Sequence, residues 1–266
     1  MTHLTRRGAL LTLTAAGLVG AAPLARAESL DDIRKARKVR IAVAIGIPRF
    51  AFIDKDLKPT GSDVETAKLI AQDLGATLDL VQITNAARVP TIQTRKADIL
   101  VASLAVTPER KKVIDFTVPY ATLNIIVAGA PGLAVKGYPD IVGKRIGVTR
   151  ATVNDMLVTQ NAKGAEIVRF EDDATLITAA VSGQVDLVST QEAVVAVMNE
   201  KRADKPFETK FVQSELNLGI ALPQGEDKLK TWLNDWVRTN MESGRLNTVF
   251  RQFHGRDLPA DLVQRG

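Results

Sequence analysis

The apolar positions of this chain fall into short runs that alternate between two periods. Residues 39–45 form a β-branched run of strand character. Gly61-Ser62-Asp63 then opens a stretch with Val64, Ala67, Leu69, Ile70 and Leu74 at helical spacing, stopped by Gly75. Residues 78–83 predict the next strand, 89–94 a short helix and 98–102 a third strand. The order then repeats. Lys144-Arg145-Ile146-Gly147-Val148 predicts a strand, a helix follows from about Val153, and 166–170 is a further strand. A helix over 174–181 ends at Gly183 and leads into a strand at 186–189. This βαβα order predicts an α/β protein with mostly parallel sheet, and two such units predict two lobes with a cleft between them. Near the C-terminus Leu229, Trp232, Leu233, Trp236 and Val237 share one helical stripe, which assigns both tryptophans to the core.

The first 27 residues read as an export signal rather than part of the fold. Arg6 and Arg7 supply a positive n-region, the run from Gly8 to Leu18 is apolar, and Ala25-Arg26-Ala27 is a small-x-small cleavage site. Thr5-Arg6-Arg7-Gly8-Ala9-Leu10-Leu11 also resembles the twin-arginine export motif. A membrane anchor is the competing reading, but the run is short for a span and small residues dominate its end. The expected location is the periplasm, as a soluble protein without a lipid anchor.

Composition changes this picture in three places. The formal charge of +5 suggests an anionic partner, but residues 1–27 carry three arginines and no acid, leaving +2 on the mature chain. The remaining basic residues are scattered among acids, so no nucleic-acid partner is expected. The chain has no cysteine, which excludes disulfides, thiolate metal sites, cysteine nucleophiles and thiol-linked lipids. His254 is the single histidine after position 27, and no GxSxG, HExxH or P-loop motif occurs, so a histidine triad, a metal site and a cofactor are not expected.

Candidate chemistry concentrates in one segment, Ala97-Asp98-Ile99-Leu100-Val101-Ala102-Ser103-Leu104-Ala105-Val106-Thr107-Pro108-Glu109-Arg110. A strand ends there at small polar residues, and a helix begins with Thr107 as N-cap and Pro108 at N1. Backbone N–H groups at such a start face an anion, and Arg110 can fork onto a carboxylate. This segment resembles the periplasmic solute-binding proteins of ABC importers for polar amino acids, the bacterial extracellular solute-binding family 3. Further matches are Gly61-Ser62-Asp63-Val64, Val142-Gly143-Lys144-Arg145-Ile146-Gly147-Val148, Ser182-Gly183-Gln184-Val185-Asp186 and Ser243-Gly244-Arg245-Leu246. The resemblance covers nearly all of residues 29–257.

It implies the two-lobed type II periplasmic-binding-protein fold, each lobe a mostly parallel sheet flanked by helices. Lobe 1 would comprise 29–121 plus 220–258, lobe 2 122–219, and 259–266 would be a C-terminal tail. The crossings would lie at 122–129 and 218–222. The resemblance also implies that Arg110 clamps a ligand α-carboxylate with help from backbone groups at Ser103 and Ala105. Ala151-Thr152-Val153 stands where the family has a Gly-Thr-Thr turn, making Thr152 and Val153 site candidates. Asn85 and Arg88 map onto positions that contact a distal carboxylate in acidic amino-acid binders. Features of basic amino-acid binders near Ala44, Ile47 and Asn85 are absent. Phe50 and Phe52 are candidates to face the ligand from the first loop, with core packing as the competing role for each.

One departure matters. Five residues after Asp186 the family commonly has an aspartate for the ligand ammonium, and this chain has Gln191, with Glu192 beside it. Either another carboxylate substitutes, or the ligand is not a standard α-amino acid. The expected function is capture of a small carboxylate-bearing solute, a polar or acidic amino acid or a relative, by a monomer that delivers it to ABC permease subunits without covalent chemistry. Two alternatives remain: a cyclohexadienyl dehydratase-like enzyme, which would need a lobe 2 acid where this chain has Val194, and a ligand-sensing module for a membrane receptor.

Overall fold

The protein was analysed as a computed structural model that describes residues 29–266. The export signal expected at 1–27 lies outside the described residues. Helix α1 (Ser29–Ala36) leads into β1 (Lys38–Ala44), the short antiparallel pair β2 (Phe52–Ile53) and β3 (Pro59–Thr60), helix α2 (Ser62–Asp73) and β4 (Thr77–Ile83). Helix α3 (Arg88–Gln93), β5 (Ile99–Leu100) and α4 (Pro108–Lys111) follow. The chain then enters β6 (Asp115–Gly129), a single strand of 15 residues. Next come β7 (Arg145–Thr149), α5 (Val153–Asn161), β8 (Glu166–Phe170), α6 (Asp173–Val181), β9 (Leu187–Gln191) and α7 (Glu192–Glu200). A second 15-residue strand, β10 (Glu208–Leu222), returns, and α8 (Asp227–Glu242) and α9 (Arg245–His254) complete the order.

The main sheet runs β4-β1-β5-β10-β6-β9-β7-β8. Its two wings are parallel: β1 with β4 and β5 on one side, β7 with β8 and β9 on the other. The long strands β6 and β10 pair antiparallel in the middle and join the wings. Each crossing is therefore half of a continuous strand rather than a flexible linker. The register slips at Val212/Ser214 and again around Gly219, the irregularities by which a long ribbon bends.

The sequence pattern explains the wings. In β1 the last four residues are all buried, as expected for a parallel strand covered by helices on both faces. Helix α2 turns Val64, Ala67, Ile70 and Ala71 inward at helical spacing. One large core gathers these residues with Leu229, Leu233, Trp236 and Val237 of α8. Trp232 is partly buried against the same core, so both tryptophans pack as the stripe predicts. The other wing is sandwiched by two smaller clusters, one around Leu176, Val188 and Val194 and one around Ile141, Ile146 and Val158. Residues 259–266 fold back on the sheet: the turn at Leu262–Arg265 packs on β6, and Leu262 is fully buried.

Candidate ligand-binding cleft

Between the two wings, against the long strands, lies a narrow cleft with a free volume of about 50 Å³. Its first wall is built by a chain of buried polar contacts. Gly61 has φ 122°, and a Cβ there would stand 2.3 Å from the Phe50 carbonyl oxygen, so glycine lets the first loop and the start of α2 meet. Asp63, fully buried two residues on, accepts a 2.7 Å hydrogen bond from the Tyr120 hydroxyl. Tyr120 Oη in turn accepts from the Ser103 backbone N–H at 3.1 Å. This holds the loop after β5, where Ser103 has φ 42°. Burial pushes Asp63 up to about 7, and burial with the adjoining Asp63 carboxylate raises the Tyr120 phenol.

Two arginines reach the cleft from this wall. Thr107 caps α4 with its Oγ1 accepting from the Arg110 backbone, and Pro108 occupies the first helical position, as predicted. Arg110 Nη1 donates to the Ala105 carbonyl at 2.8 Å, and Nη2 donates across the cleft to the Ala151 carbonyl at 3.3 Å. Arg88, 5% exposed at the start of α3, donates through Nε to the Asn85 carbonyl at 2.9 Å. Its Nη1 and Nη2 reach the Ala102 and Ala151 carbonyls at 3.3 and 3.5 Å. All these acceptors are neutral. Burial, and then the nearby Arg110, lowers Arg88 to about 9; burial lowers Arg110 to about 10.

The opposite wall comes from the second wing. Ala151 sits at φ 58°, which accounts for the glycine that the family turn carries there. Thr152 is the N-cap of α5: its Oγ1 accepts from the Asp155 N–H and donates to the Thr149 carbonyl. The Thr152 hydroxyl is thus committed to the cap, and the turn offers its backbone N–H groups, with Val153, to an anion. Ser189, Thr190 and Asn154 add a polar floor, and Leu123, Ile125 and Leu216 line the side formed by the long strands.

Eight of the nine residues predicted from sequence line this cleft: Arg110, Ser103, Ala105, Asn85, Arg88, Thr152, Val153 and Gln191. The ninth, Phe50, is 1% exposed and packs edge-on against His254 with ring centroids 4.4 Å apart, outside the lining. Phe52 packs against Phe253. The Ser103 amide is taken by Tyr120, which leaves its hydroxyl as the uncommitted donor. Ala105 bridges Leu218 through flanking bonds, from Val106 N–H to Asn217 and from Gly219 N–H to Leu104, so its own N–H points away from β10.

Gln191 ends β9 with its Oε1 buried and without a donor, and Asn85 Oδ1 is in the same condition. Glu192 is exposed, accepts from Asn124 Nδ2, and lines an outer depression with His254 and Arg256 that adjoins the cleft at Gln191 and Leu123. Sequence reasoning did not single out Asp173. It is 5% exposed, lines the cleft, and accepts from Thr149 Oγ1 at 2.5 Å. Burial pushes it up to about 6. The only signal was a second acid beside the capping residue Asp172, which reads as ordinary helix-start chemistry.

A sheet with two parallel wings, two crossing strands and a polar cleft between the wings is the architecture of the two-lobed periplasmic binding proteins. The P235GK mutant of ArgBP from T. maritima superposes with a TM-score of 0.78 at 26% identity, covering 85% of this chain and 99% of that one. The ancestral amino acid-binding protein AncCDT-1, a precursor of cyclohexadienyl dehydratase, superposes with a TM-score of 0.77 at 28% identity, covering 84% and 98%. Residues 39–256 match the model of the bacterial extracellular solute-binding proteins, family 3, and the chain belongs to that family. It is 24% identical over 263 residues to the L-cystine-binding protein TcyJ of Escherichia coli K12, covering 97% of this chain and 98% of the relative. It is 25% identical to the ABC transporter glutamine-binding protein GlnH of Bacillus subtilis 168, covering 95% of each.

Proposed function

We propose that this protein is the periplasmic, monomeric substrate-binding component of an ABC importer. It captures a small carboxylate-bearing solute, a polar or acidic amino acid or a relative, by closure of the two lobes, and delivers it to the membrane permease. The lobes correspond to 29–121 with 220–258 and to 122–219, and the signal at 1–27 directs twin-arginine export. The observation that carries the reading is the pair Arg88 and Arg110. Both line one cleft, both are desolvated, and neither makes a hydrogen bond or ion pair to a carboxylate among the described residues; the charges of Asp173 and Asp63 act on Arg88 without direct contact. Two cations bonded only to neutral carbonyls leave counter-charge for the ligand to supply.

Arg110, with the Ala105 N–H and the Ser103 hydroxyl, holds the α-carboxylate from lobe 1, and the Thr152–Val153 backbone meets it from lobe 2. Arg88 and Asn85 hold the distal group. The mechanism is binding alone: Val194, at the place of the lobe 2 acid in dehydratase relatives, is fully buried in the core cluster of its wing. The test is a thermal-shift panel of Glu, Asp, Gln, Asn, Lys, Arg and amine-free carboxylates. A ligand present at a thousandfold excess over its Kd stabilises by about 4 kcal/mol. Acidic and polar carboxylates raise Tm; a panel in which no carboxylate does so refutes the reading. Incubation with prephenate or arogenate yields no aromatic product.

A further inference from the structure

At the position where the resemblance leads one to expect a carboxylate for the ligand ammonium, Gln191 is neutral, and the neighbouring Glu192 is exposed and bonded to Asn124. Granting the binding function proposed above, we propose that Asp173, supported by Thr149, receives the amino group of the ligand, so that the solute is a dicarboxylate carrying one ammonium.

Three observations converge on this. Asp173 is the one carboxylate among the residues lining the cleft, and it is buried with Arg88 and Arg110 in the same cavity. Among the lining side chains two guanidiniums face one carboxylate, an excess of positive charge that a ligand with two carboxylates and one ammonium offsets. The cleft also holds a carbonyl oxygen without a donor, Gln191 Oε1, on a side chain that lines it. A fully ionised dicarboxylate has no N–H or O–H to give, whereas an ammonium has three donors. The acceptors of the cleft therefore ask for a nitrogen, and its cations ask for the carboxylates.

The electrostatics agree. Desolvation holds Asp173 above the usual carboxylate range, while the Arg88 charge pulls it back down. A cation docking beside it stabilises the ionised form in the same direction as Arg88 does. Thr149 Oγ1 already donates to Oδ1 and orients the group.

The experiment is titration calorimetry at neutral pH with matched probes: L-glutamate against glutarate, and L-aspartate against succinate. Wild-type protein prefers the amine-bearing member of at least one pair by ~10-fold or more. Asp173→Asn, nearly isosteric, lowers affinity for that amino acid by about 100-fold and leaves the amine-free partner unchanged or tighter. Wild-type protein that binds carboxylates without preferring the amine overturns the proposal, and this arm needs no variant to fold. An amine preference that survives in Asp173→Asn also overturns it, because the ammonium then lies elsewhere. Failure of wild-type protein to bind any probe or any carboxylate of the thermal-shift panel refutes the binding function itself, and this inference with it.

Discussion

Arg110 donates through Nη2 to the carbonyl of Ala151 at 3.3 Å, joining the helix start of one wing to the turn at the mouth of the other. The same carbonyl lies 3.5 Å from Arg88 Nη2. A left-handed residue at the tip of the turn aims one backbone oxygen at both cations, so the lobes are bridged by the groups proposed to hold the ligand. Arg110→Ala removes a forked, charge-assisted donor and one bridge together. Its affinity for whichever carboxylate binds wild-type protein falls by about 100-fold or more, read by calorimetry. Arg110→Lys restores little of it, since a point charge cannot reach Ala105, Ala151 and a carboxylate as a planar fork does. Affinity retained in Arg110→Ala would remove this residue from the site.

Gly61 is predicted to be the most sensitive glycine near the cleft. Gly61→Ala must fit a Cβ 2.3 Å from the Phe50 carbonyl oxygen on a backbone at φ 122°. Both partners are backbone, so relief requires the first loop or the start of α2 to move. The cost is about 3 kcal/mol or more in chemical denaturation. Because the Asp63–Tyr120–Ser103 chain starts two residues later, ligand affinity falls as well. By contrast, Gly75→Ala meets no atom within 4 Å and pays only for its positive φ.

Much of this architecture was legible in the chain because local signals and long-range packing agree. The strand at Glu166–Phe170 and the Thr107-Pro108 helix start stand where periodicity and capping place them. Eight candidate residues converge because they cluster at the strand ends, loops and helix starts beyond the wing strands, where such folds put their ligands. Phe50 did not follow, because an aromatic beside a site reads identically whether its ring meets ligand or His254. Asp173 was missed for a related reason. At a helix start two consecutive acids look equivalent, and only the fold decides that Asp172 caps while Asp173 enters the cleft. The single-strand nature of the crossings was also unreadable, since β6 contains Pro119 and carries no period-2 alternation.

His254 gives the protein an acid-sensitive point away from the cleft. It stacks on Phe250 at 4.0 Å between ring centroids, meets Phe50 edge-on, and shares a 3.0 Å hydrogen bond with Ser62 Oγ. Burial holds it at about 3, helped by Arg256 and Arg49. A base depressed on folding contributes stability above the unfolded value of about 6.5, which is lost as pH falls toward 3. Asp63 and Asp173, raised to about 7 and about 6, act oppositely: their burial penalty is relieved as pH falls. The difference between wild type and His254→Phe isolates the histidine. That difference shifts against wild type by about 2–4 kcal/mol between pH 7 and pH 4 in denaturant titrations. A flat difference would mean that His254 takes up a proton as readily in the folded state as in the unfolded one.

The segment 259–266 is predicted to be structural and not a dispensable tail. Leu262 is fully buried on the large core, and the turn carrying it packs on β6, one of the two strands that join the lobes. Arg265 pairs with Glu215 of β10 and with Asp261, and Asn217 Nδ2 donates to its carbonyl. Arg256 Nη2 donates to the Thr122 carbonyl of β6. These contacts fall on the middle of the crossing ribbon, yet they differ in strength. The Arg265 pairs lie in solvent, where screening and side-chain entropy cancel most of the attraction. Leu262→Ala, in contrast, leaves a cavity in packed core and costs about 2–4 kcal/mol. Chemical denaturation therefore separates the two: Leu262→Ala moves the midpoint clearly, and Arg265→Ala leaves it near wild type. Equal effects would show that the ion pairs, and not the buried leucine, fasten this segment to the ribbon.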